Sequence, residues 1–498
     1  MIKKLGFRGV LATDERRLVL LIGLSVMIGL IACVTSSPEA IEESIIPNAV
    51  QPSVKQTDNI KPTRQDQPGG EETKTNSDKT GKIKLSLEQC LQVALDNNRQ
   101  LLISKEERLK AKGKMQEADA LRYPNLSANL SYNRVDKVTT FSPGAGVPSI
   151  EIGSLNNYNA EVVLKQTLYQ GGRIDAMIES AKLGKQLAEM QFLDTKEFIV
   201  FHVTKSYYDV LLSQETLGIN QKSLANAIAN LDNVKLLNQQ GVASNYKVLR
   251  AEVQVSNIRT LVLQSESNLR LTKLDLLRAM GIPTDDDSSD IELSDQLNYK
   301  DQSADFRQSL DTAFQMRADL SRAKLMIEMQ RKNITVAKSN LRPDLSLFAN
   351  GGKEKPSRFE FGENQWGDYW VAGAMVSFPL FEGDRTMGKV IQERAILNQY
   401  QITLKDTEEK IRYEVKQAFL SLNDAEELIN SQKENVKQAE EGLRLADIGF
   451  KNGVNTQLEV LDTQLALDVA RKNYLSAIYS YNLAQLMMQK AMGVLRNK

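Results

Sequence analysis

The sequence predicts a mixed, mainly α-helical chain, with very long helices and a few amphipathic strands set in an internal two-fold repeat. Three observations carry this. One apolar row recurs every seven residues at Val203, Val210, Leu217, Leu224 and Leu231, and another at Val415, Leu422, Ile429, Val436, Leu443 and Phe450. Short segments such as PNLSANLSYN, 124–133, alternate apolar and polar residues. The stretch LYQGGR, 168–173, returns as LFEGDR, 380–385, at an offset of 212. A motif that returns once, far away, marks a duplicated unit.

The offset of 212 holds without a gap from Leu168 to Gly281, pairing Gly171 with Gly383, Arg173 with Arg385, and AMG at 279–281 with AMG at 491–493. Upstream it becomes 219, so that YPNLS at 123–127 meets RPDLS at 342–346. Each copy reads helix, two strands, long helix, turn, helix. The acidic stretch PTDDDSSDIELSD, 283–295, joins them.

The heptad rows predict coiled-coil packing of the long helices. Small residues follow the large ones by three: Ser206, Ser213 and Ala227, then Ala418, Ala425, Ala439 and Ala446. Alternating sizes let helices approach closely. As one helix, Gly172 to Gln240 is about 100 Å long at 1.5 Å per residue. A globular core does not need that length; a structure that crosses a gap does.

The strand rows are Leu126, Ala128, Leu130 and Tyr132; Tyr158, Ala160, Val162, Leu164 and Leu168; Leu345, Leu347 and Ala349; and Trp370, Ala372, Ala374, Val376, Phe378 and Leu380. Each is about long enough to cross a bilayer with one greasy and one polar face. Trp366 and Trp370 lie near the start of the last strand, and Tyr123, Tyr169 and Phe381 at strand bases, where aromatic girdles sit. Four strands close no barrel, and lipid forbids an open edge. A chain of this kind that spans a membrane must therefore oligomerise, and three copies supply about twelve strands, above the roughly eight of the smallest barrels.

The totals narrow the function. Lys plus Arg equals Asp plus Glu, 63 each, which lacks the basic excess of a nucleic-acid binder. One histidine, His202, and two cysteines, Cys33 and Cys90, leave little for acid–base, metal or disulfide chemistry. His202 reads as a helix-face residue and Cys90, within LEQCLQVAL, as a small core residue. No nucleophile elbow or nucleotide loop appears, and LYQGGR lacks the GK[ST] of a phosphate loop. An enzyme is not expected, nor a cofactor.

The N-terminus reads as an address. Basic residues precede the apolar run from Leu18 to Ala32, which is shorter than the roughly 20 residues of a spanning helix. Residues 1–32 are expected to be a signal peptide and 33–82 a flexible tether, rich in Ser, Thr, Pro, Gln and charge. Residues 83–282 form the first repeat, 283–305 the joint and 306–498 the second repeat.

The end of the apolar run, Leu30-Ile31-Ala32-Cys33, resembles a bacterial lipoprotein box, which implies lipidation at Cys33; Val34 rather than Asp resembles the outer-membrane sorting class. Over residues 85–495 the chain resembles the TolC-like outer-membrane efflux protein family. The Leu-aromatic-x-Gly-x-Arg junctions, YPNLS with RPDLS, and GFKNGVNTQLEVLDTQLAL at 449–467 carry that resemblance. It implies a homotrimer with a 12-stranded outer-membrane β-barrel, four strands per chain, and a long periplasmic α-helical barrel. It implies an exit duct working with a periplasmic adaptor protein and an inner-membrane transporter. Gly171, Arg173, Gly383 and Arg385 then mark strand-to-helix junctions near the lipid boundary. Gly241 and Gly453 mark periplasmic tips, with 230–238 and 442–450 as candidate adaptor contacts. By position the family's acidic gate falls on Glu459 and Asp462, whose matching positions in the other repeat are Lys247 and Arg250, cations that could pair with them between helices. The family's closing Tyr and Arg are here Phe450 and Asn455. Two alternatives stand beside this reading: a lipid-anchored periplasmic coiled-coil scaffold that spans no membrane, and a type I protein-secretion channel.

Overall fold

Turn and cap residues divide the described residues into sixteen helices and strands and a closing 3-10 turn. The structure is a computed structural model that describes residues 83–144, 146, 148–283, 291–300, 305–359 and 364–497. The expected signal peptide, the Cys33 lipidation site and the tether lie outside the described residues, as does most of the acidic joint. The first repeat holds β1 (Ile83–Leu85), α1 (Leu87–Asn97), α2 (Arg99–Ala120), β2 (Asn125–Arg134), β3 (Thr139–Phe141), β4 (Ile150–Ile152), β5 (Asn156–Gln170), α3 (Arg173–Gln239) and α4 (Asn245–Met280). The second holds β6 (Ile291–Leu293), α5 (Phe306–Met316), α6 (Ala318–Ser339), β7 (Asp344–Lys355), β8 (Gly367–Ser377), α7 (Arg385–Lys451) and α8 (Gln457–Ala491), and a 3-10 turn ends it at Leu495–Asn497.

The two long helices have 67 residues each, about 100 Å at 1.5 Å per residue. Their heptad rows form the hairpin interiors: Val203, Val210, Val415, Leu422 and Ile429 are buried, as are Ser213, Ala227, Ala418, Ala425 and Ala446. Towards the tips the rows thin out, since Leu217, Leu224, Leu231, Val436 and Leu443 are only half-buried. α3 packs on α4, α2, α6 and α8, and α7 on α8, α6 and α5.

Each helix preceding a hairpin is two helices, not one. The break falls at Asn98 in the first repeat and at Arg317 in the second, residues related by the offset of 219. Asn98 accepts from the Gln100 and Leu101 amides and donates to the Ala279 carbonyl at 2.9 Å. Arg317 reaches the repeat-equivalent Ala491 carbonyl at 3.4 Å, grips Asp319 through Nε and Nη2, and donates to Glu414 at 2.6 Å. The same joint is thus built once with an amide and once with a guanidinium hub.

The largest apolar cluster sits where α1, α3, α4 and α8 meet, around Cys90, Val200, Val203, Tyr207, Leu276, Leu277 and Met280. β1 pairs in parallel with β6 beside it, and Tyr207 donates to Asp295 at 2.7 Å. Cys90 is fully buried, and burial pushes its thiol up to about 12, the inert core cysteine that its helix row implied. His202 lies exposed between the rings of Phe198 and Phe201.

The four long strands form one antiparallel sheet in the order β2-β5-β7-β8. Its register places Leu126, Ala128, Leu130 and Tyr132 against Leu164, Val162, Ala160 and Tyr158, and continues through Ala349 and Gly351 to Ala372 and Trp370. The alternation expected for the second strand breaks at a bulge between Thr167 and Tyr169, which brings Tyr169 opposite Leu345. Phe378 and Leu380 lie beyond the end of β8. A small hairpin, β3 with β4, which has no counterpart in the sequence reading, caps the loop between β2 and β5.

Two stability predictions follow from buried charge. Arg317→Ala removes the cation that Asp319 and Glu414 share, leaving Glu414 only Lys410 at 3.8 Å, and should cost roughly 3 kcal/mol, read by chemical denaturation. Glu197 has one carboxylate oxygen buried without a partner. Burial first, then Asp194, raises its pKa from 4.5 to about 7, against the Leu495 amide, Arg317 and Arg496. The folded state therefore holds a proton that the unfolded chain releases. Its contribution is complete below 4.5 and is lost as pH rises to about 7. Glu197→Gln should flatten the fall of melting temperature across that window and raise it at higher pH.

Candidate membrane sheet, junctions and helical tips

One face of the sheet is apolar and bare. Leu130 is 85% exposed, Leu126 59%, Trp370 67% and Val376 69%. The opposite face carries Asn125, Ser127, Asn129, Ser131 and Asn133 on β2, opposite Lys165, Val163, Glu161, Asn159 and Asn157 on β5. Asn129 and Tyr369 both donate to Glu161, at 3.2 and 3.1 Å. A soluble sheet buries its apolar face against helices; here that face is uncovered along all four strands. Aromatic residues mark both ends of it: Tyr132, Tyr158 and Trp366 stack at centroid distances of 4.9 and 6.0 Å at one, and Tyr123, Tyr169 and Phe381 stand exposed at the other. The outer strands β2 and β8 each have one neighbour, so their other edges offer unpaired backbone groups.

At each strand-to-helix junction two consecutive residues take a left-handed backbone: Gly171 and Gly172 at φ +60° and +85°, Gly383 and Asp384 at +59° and +59°. This double turn reverses the chain from strand to long helix and is the reason for the paired glycines of LYQGGR. A Cβ on Gly171 would meet the Ser339 carbonyl at 2.7 Å and Arg342 Cβ at 2.8 Å. Arg342 donates to the Gly171 carbonyl at 3.0 Å, and Arg173 to Asn340 at 3.4 Å. Nothing of its own chain lies within 4 Å of a Cβ on Gly383, and Arg385 pairs locally with Glu382 at 3.1 Å.

The tips are two further turns. Gly241 and Gly453 both sit at φ +74°. Val242 and Ala243 donate to the Leu237 carbonyl, as Val454 and Asn455 do to Gly449. Asn455 is not idle: its side-chain amide folds back to the Ala446 carbonyl at 3.4 Å and covers Gly449. Phe450 is 38% exposed. Glu459 has a task that the sequence reading missed. Thr456 and Glu459 form a capping box at the start of α8: the Thr456 amide donates to the Glu459 carboxylate at 2.6 Å, and the Glu459 amide to the Thr456 hydroxyl at 3.3 Å. The signal was present as T-Q-L-E. Asp462 lies one turn on, exposed. Among the described residues neither acid pairs with Lys247 or Arg250 of its own chain; within the two long hairpins Lys235 pairs with Glu252 and Arg471 with Glu440, at 3.1 and 2.9 Å.

A family model described as outer membrane efflux protein matches residues 90–282 and 309–494. The chain belongs to the outer membrane efflux protein family. It is 24% identical over 419 residues to the probable efflux pump outer membrane protein TtgC of Pseudomonas putida, covering 82% of this chain and 83% of that one. It is 23% identical over 379 residues to the outer membrane protein TolC of Vibrio cholerae, covering 74% and 82%. Among solved structures the Campylobacter jejuni CmeC outer membrane channel matches with a TM-score of 0.72 at 14% identity, covering 87% of this chain and 94% of that one. The Vibrio cholerae outer membrane protein VceC matches with a TM-score of 0.69 at 18% identity, covering 82% and 96%. As a member of this efflux family the chain is a transport component, and members of the family are channel proteins rather than enzymes. The mainly helical, TolC-like fold expected from the sequence is the fold found. Among the described residues no helix is long and apolar enough to cross a membrane.

The junction analysis gives a paired expectation. Gly171→Ala must displace backbone and should lower the melting temperature by several degrees, whereas Asp384→Gly relieves a left-handed non-glycine residue and should stabilise by about 1 kcal/mol. Thermal unfolding of the two variants reads both.

Proposed function

We propose that three copies of this chain form a passive exit duct. Their sheets close a 12-stranded barrel in the outer membrane, and their long helices make a barrel reaching into the periplasm. The observation that carries this reading is the uncovered apolar sheet face, bounded by aromatic residues and ending in two open edges. An open edge is untenable in lipid and is removed by closure with further copies. The N-terminal lipid at Cys33 is an added anchor in the same membrane. The tips around Gly241 and Gly453, with residues 230–238 and 442–450, receive a periplasmic adaptor, which couples the duct to an inner-membrane transporter. The transporter selects the cargo. Relatives named as toluene and antibiotic efflux pump proteins favour small organic molecules over secreted proteins. A scaffold that spans no membrane gives no reason for the bare apolar sheet.

At the tip the two acids divide their roles. Asp462 projects an unpaired carboxylate and, repeated three times round the axis, favours cations over anions. Glu459 is tied to the helix start and acts first as a cap. Substitution separates cap from charge, because Gln also completes a capping box. Single-channel currents in planar bilayers test the proposal. The native protein should give small, cation-selective steps. Asp462→Asn should lower cation preference, Glu459→Gln should change it less, and Glu459→Ala should lengthen open times as the cap, worth about 1 kcal/mol, is lost. A folded, trimeric preparation that never conducts, in any of these variants, contradicts the duct.

A further inference from the structure

The apolar face of the sheet changes character towards one end. Alternation along β2 carries the row Leu126, Ala128, Leu130 and Tyr132 on to Arg134, and along β7 the row Leu347, Ala349 and Gly351 on to Lys353 and Lys355. Within the four strands these are the cations of that face, and all three lie at the end away from the Gly171 and Gly383 junctions. They flank the aromatic stack. Tyr132 lies opposite Tyr158, Tyr158 opposite Lys355, and Trp366 stands 6.0 Å from Tyr158. β8 puts one carboxylate on the face, Asp368, which Lys353 holds at 3.3 Å. Arg134 and Lys355 pair with no carboxylate among the described residues. The junction end is different, because its arginines are already neutralised: Arg122 by Asp175 at 3.2 Å and Arg385 by Glu382 at 3.1 Å.

Resting on the duct reading above, which turns this end of the sheet to the cell exterior, we propose that Arg134, Lys353 and Lys355, with the Tyr132, Tyr158 and Trp366 rings, bind a phosphorylated glycolipid of the outer leaflet. A long cationic side chain at the rim of a lipid-facing surface lays its stem on the apolar surface and lifts its charge to headgroup level. The anion met there is phosphate, to which guanidinium and ammonium groups give charge-assisted hydrogen bonds. The arrangement favours a sugar headgroup with more than one phosphate. Arg134 and Lys355 sit two strands and one row apart, about 12 Å between Cα atoms at ordinary sheet spacings, and the Tyr132 and Tyr158 rings stand between them. A sugar ring laid on those aromatic faces projects a phosphate to either side; a headgroup with one phosphate serves one side only. A lipid is the fitting source of the phosphate, because the next residues down the same face are Leu130, 85% exposed, and Trp370, 67% exposed, which offer a bed for acyl chains and nothing for a free anion.

Lipid titration of the detergent-extracted assembly, read by native mass spectrometry, tests this. The probes are diphosphoryl lipid A, its monophosphoryl form, phosphatidylethanolamine and inorganic phosphate. Diphosphoryl lipid A should be retained most tightly, and inorganic phosphate at equal concentration should not displace it. Arg134→Gln and Lys355→Gln should each weaken its binding about fivefold, and the two together about 25-fold. Lys165→Gln, on the opposite face of β5, should leave it unchanged. These positions are at the surface, and the native mass of each variant shows that it still assembles. Equal retention of phosphatidylethanolamine, or undiminished binding by both single variants, overturns the site. Displacement by inorganic phosphate overturns the lipid as its occupant. If the native protein conducts in planar bilayers but shows no preference among the lipids, the inference fails and the duct stands. Orientation is read separately with Ser142→Cys, in the loop beyond β3. A membrane-impermeant maleimide should label it on intact cells and leave the unsubstituted chain, whose Cys90 is fully buried, unlabelled. Labelling only after the outer membrane is permeabilised overturns the orientation, and the duct and the lipid site fall together.

Discussion

Backbone hydrogen bonding at the two open sheet edges is the constraint on which the rest depends. β5 and β7 are paired on both sides, β2 and β8 on one. In water such an edge is tolerable; against lipid each unpaired amide or carbonyl costs several kcal/mol. The apolar face places this sheet against lipid, so closure with other copies follows from the chemistry of the peptide group. The left-handed double turns at the junctions serve the same architecture, because there β5 and β8 pass into the long helices α3 and α7.

The helices obey a second constraint. A duct about 100 Å long cannot hold one globular core, so burial is spread along hairpins and concentrated at one level. That level is the joint of α1, α3, α4 and α8, where Cys90, Tyr207, Leu277 and Met280 lie. The repeat is visible here as a division of labour: Asn98 and Arg317 bind equivalent carbonyls, but only the guanidinium draws in two carboxylates. Glu197 and the pair Asp194–Arg322 lie beside that hub. The charge-rich half of the joint is also where the C-terminal turn docks, through Lys196 to the Arg496 carbonyl at 2.7 Å.

Much of the fold was legible because period decides it. Heptads in 203–231 and 415–450 gave the long helices, and alternation gave the sheet together with the side that each residue takes. Single insertions and caps were less visible. The bulge at Thr167 leaves alternation intact on either side and shows only as a lost step before Tyr169. Asn98 and Arg317 share no residue type, so their common break was hidden until their carbonyl partners were seen. β1 and β6, three residues each, are too short for a period. The capping box at Thr456 was readable but was overshadowed by the acid it contains. A pore axis formed by several chains has no single-chain signature, so the placing of Asp462 rests on position in the family motif.

Hydrogen exchange of the detergent-extracted assembly, resolved to single strands, tests the central claim most directly. If the sheets close into one barrel, amides of β2 and β8 are as protected as those of β5 and β7, including the half that points away from the chain's own neighbour. If β2 and β8 exchange their outward amides at solvent-like rates while β5 and β7 remain protected, the edges are open, and the account of this chain as a closed membrane duct is wrong.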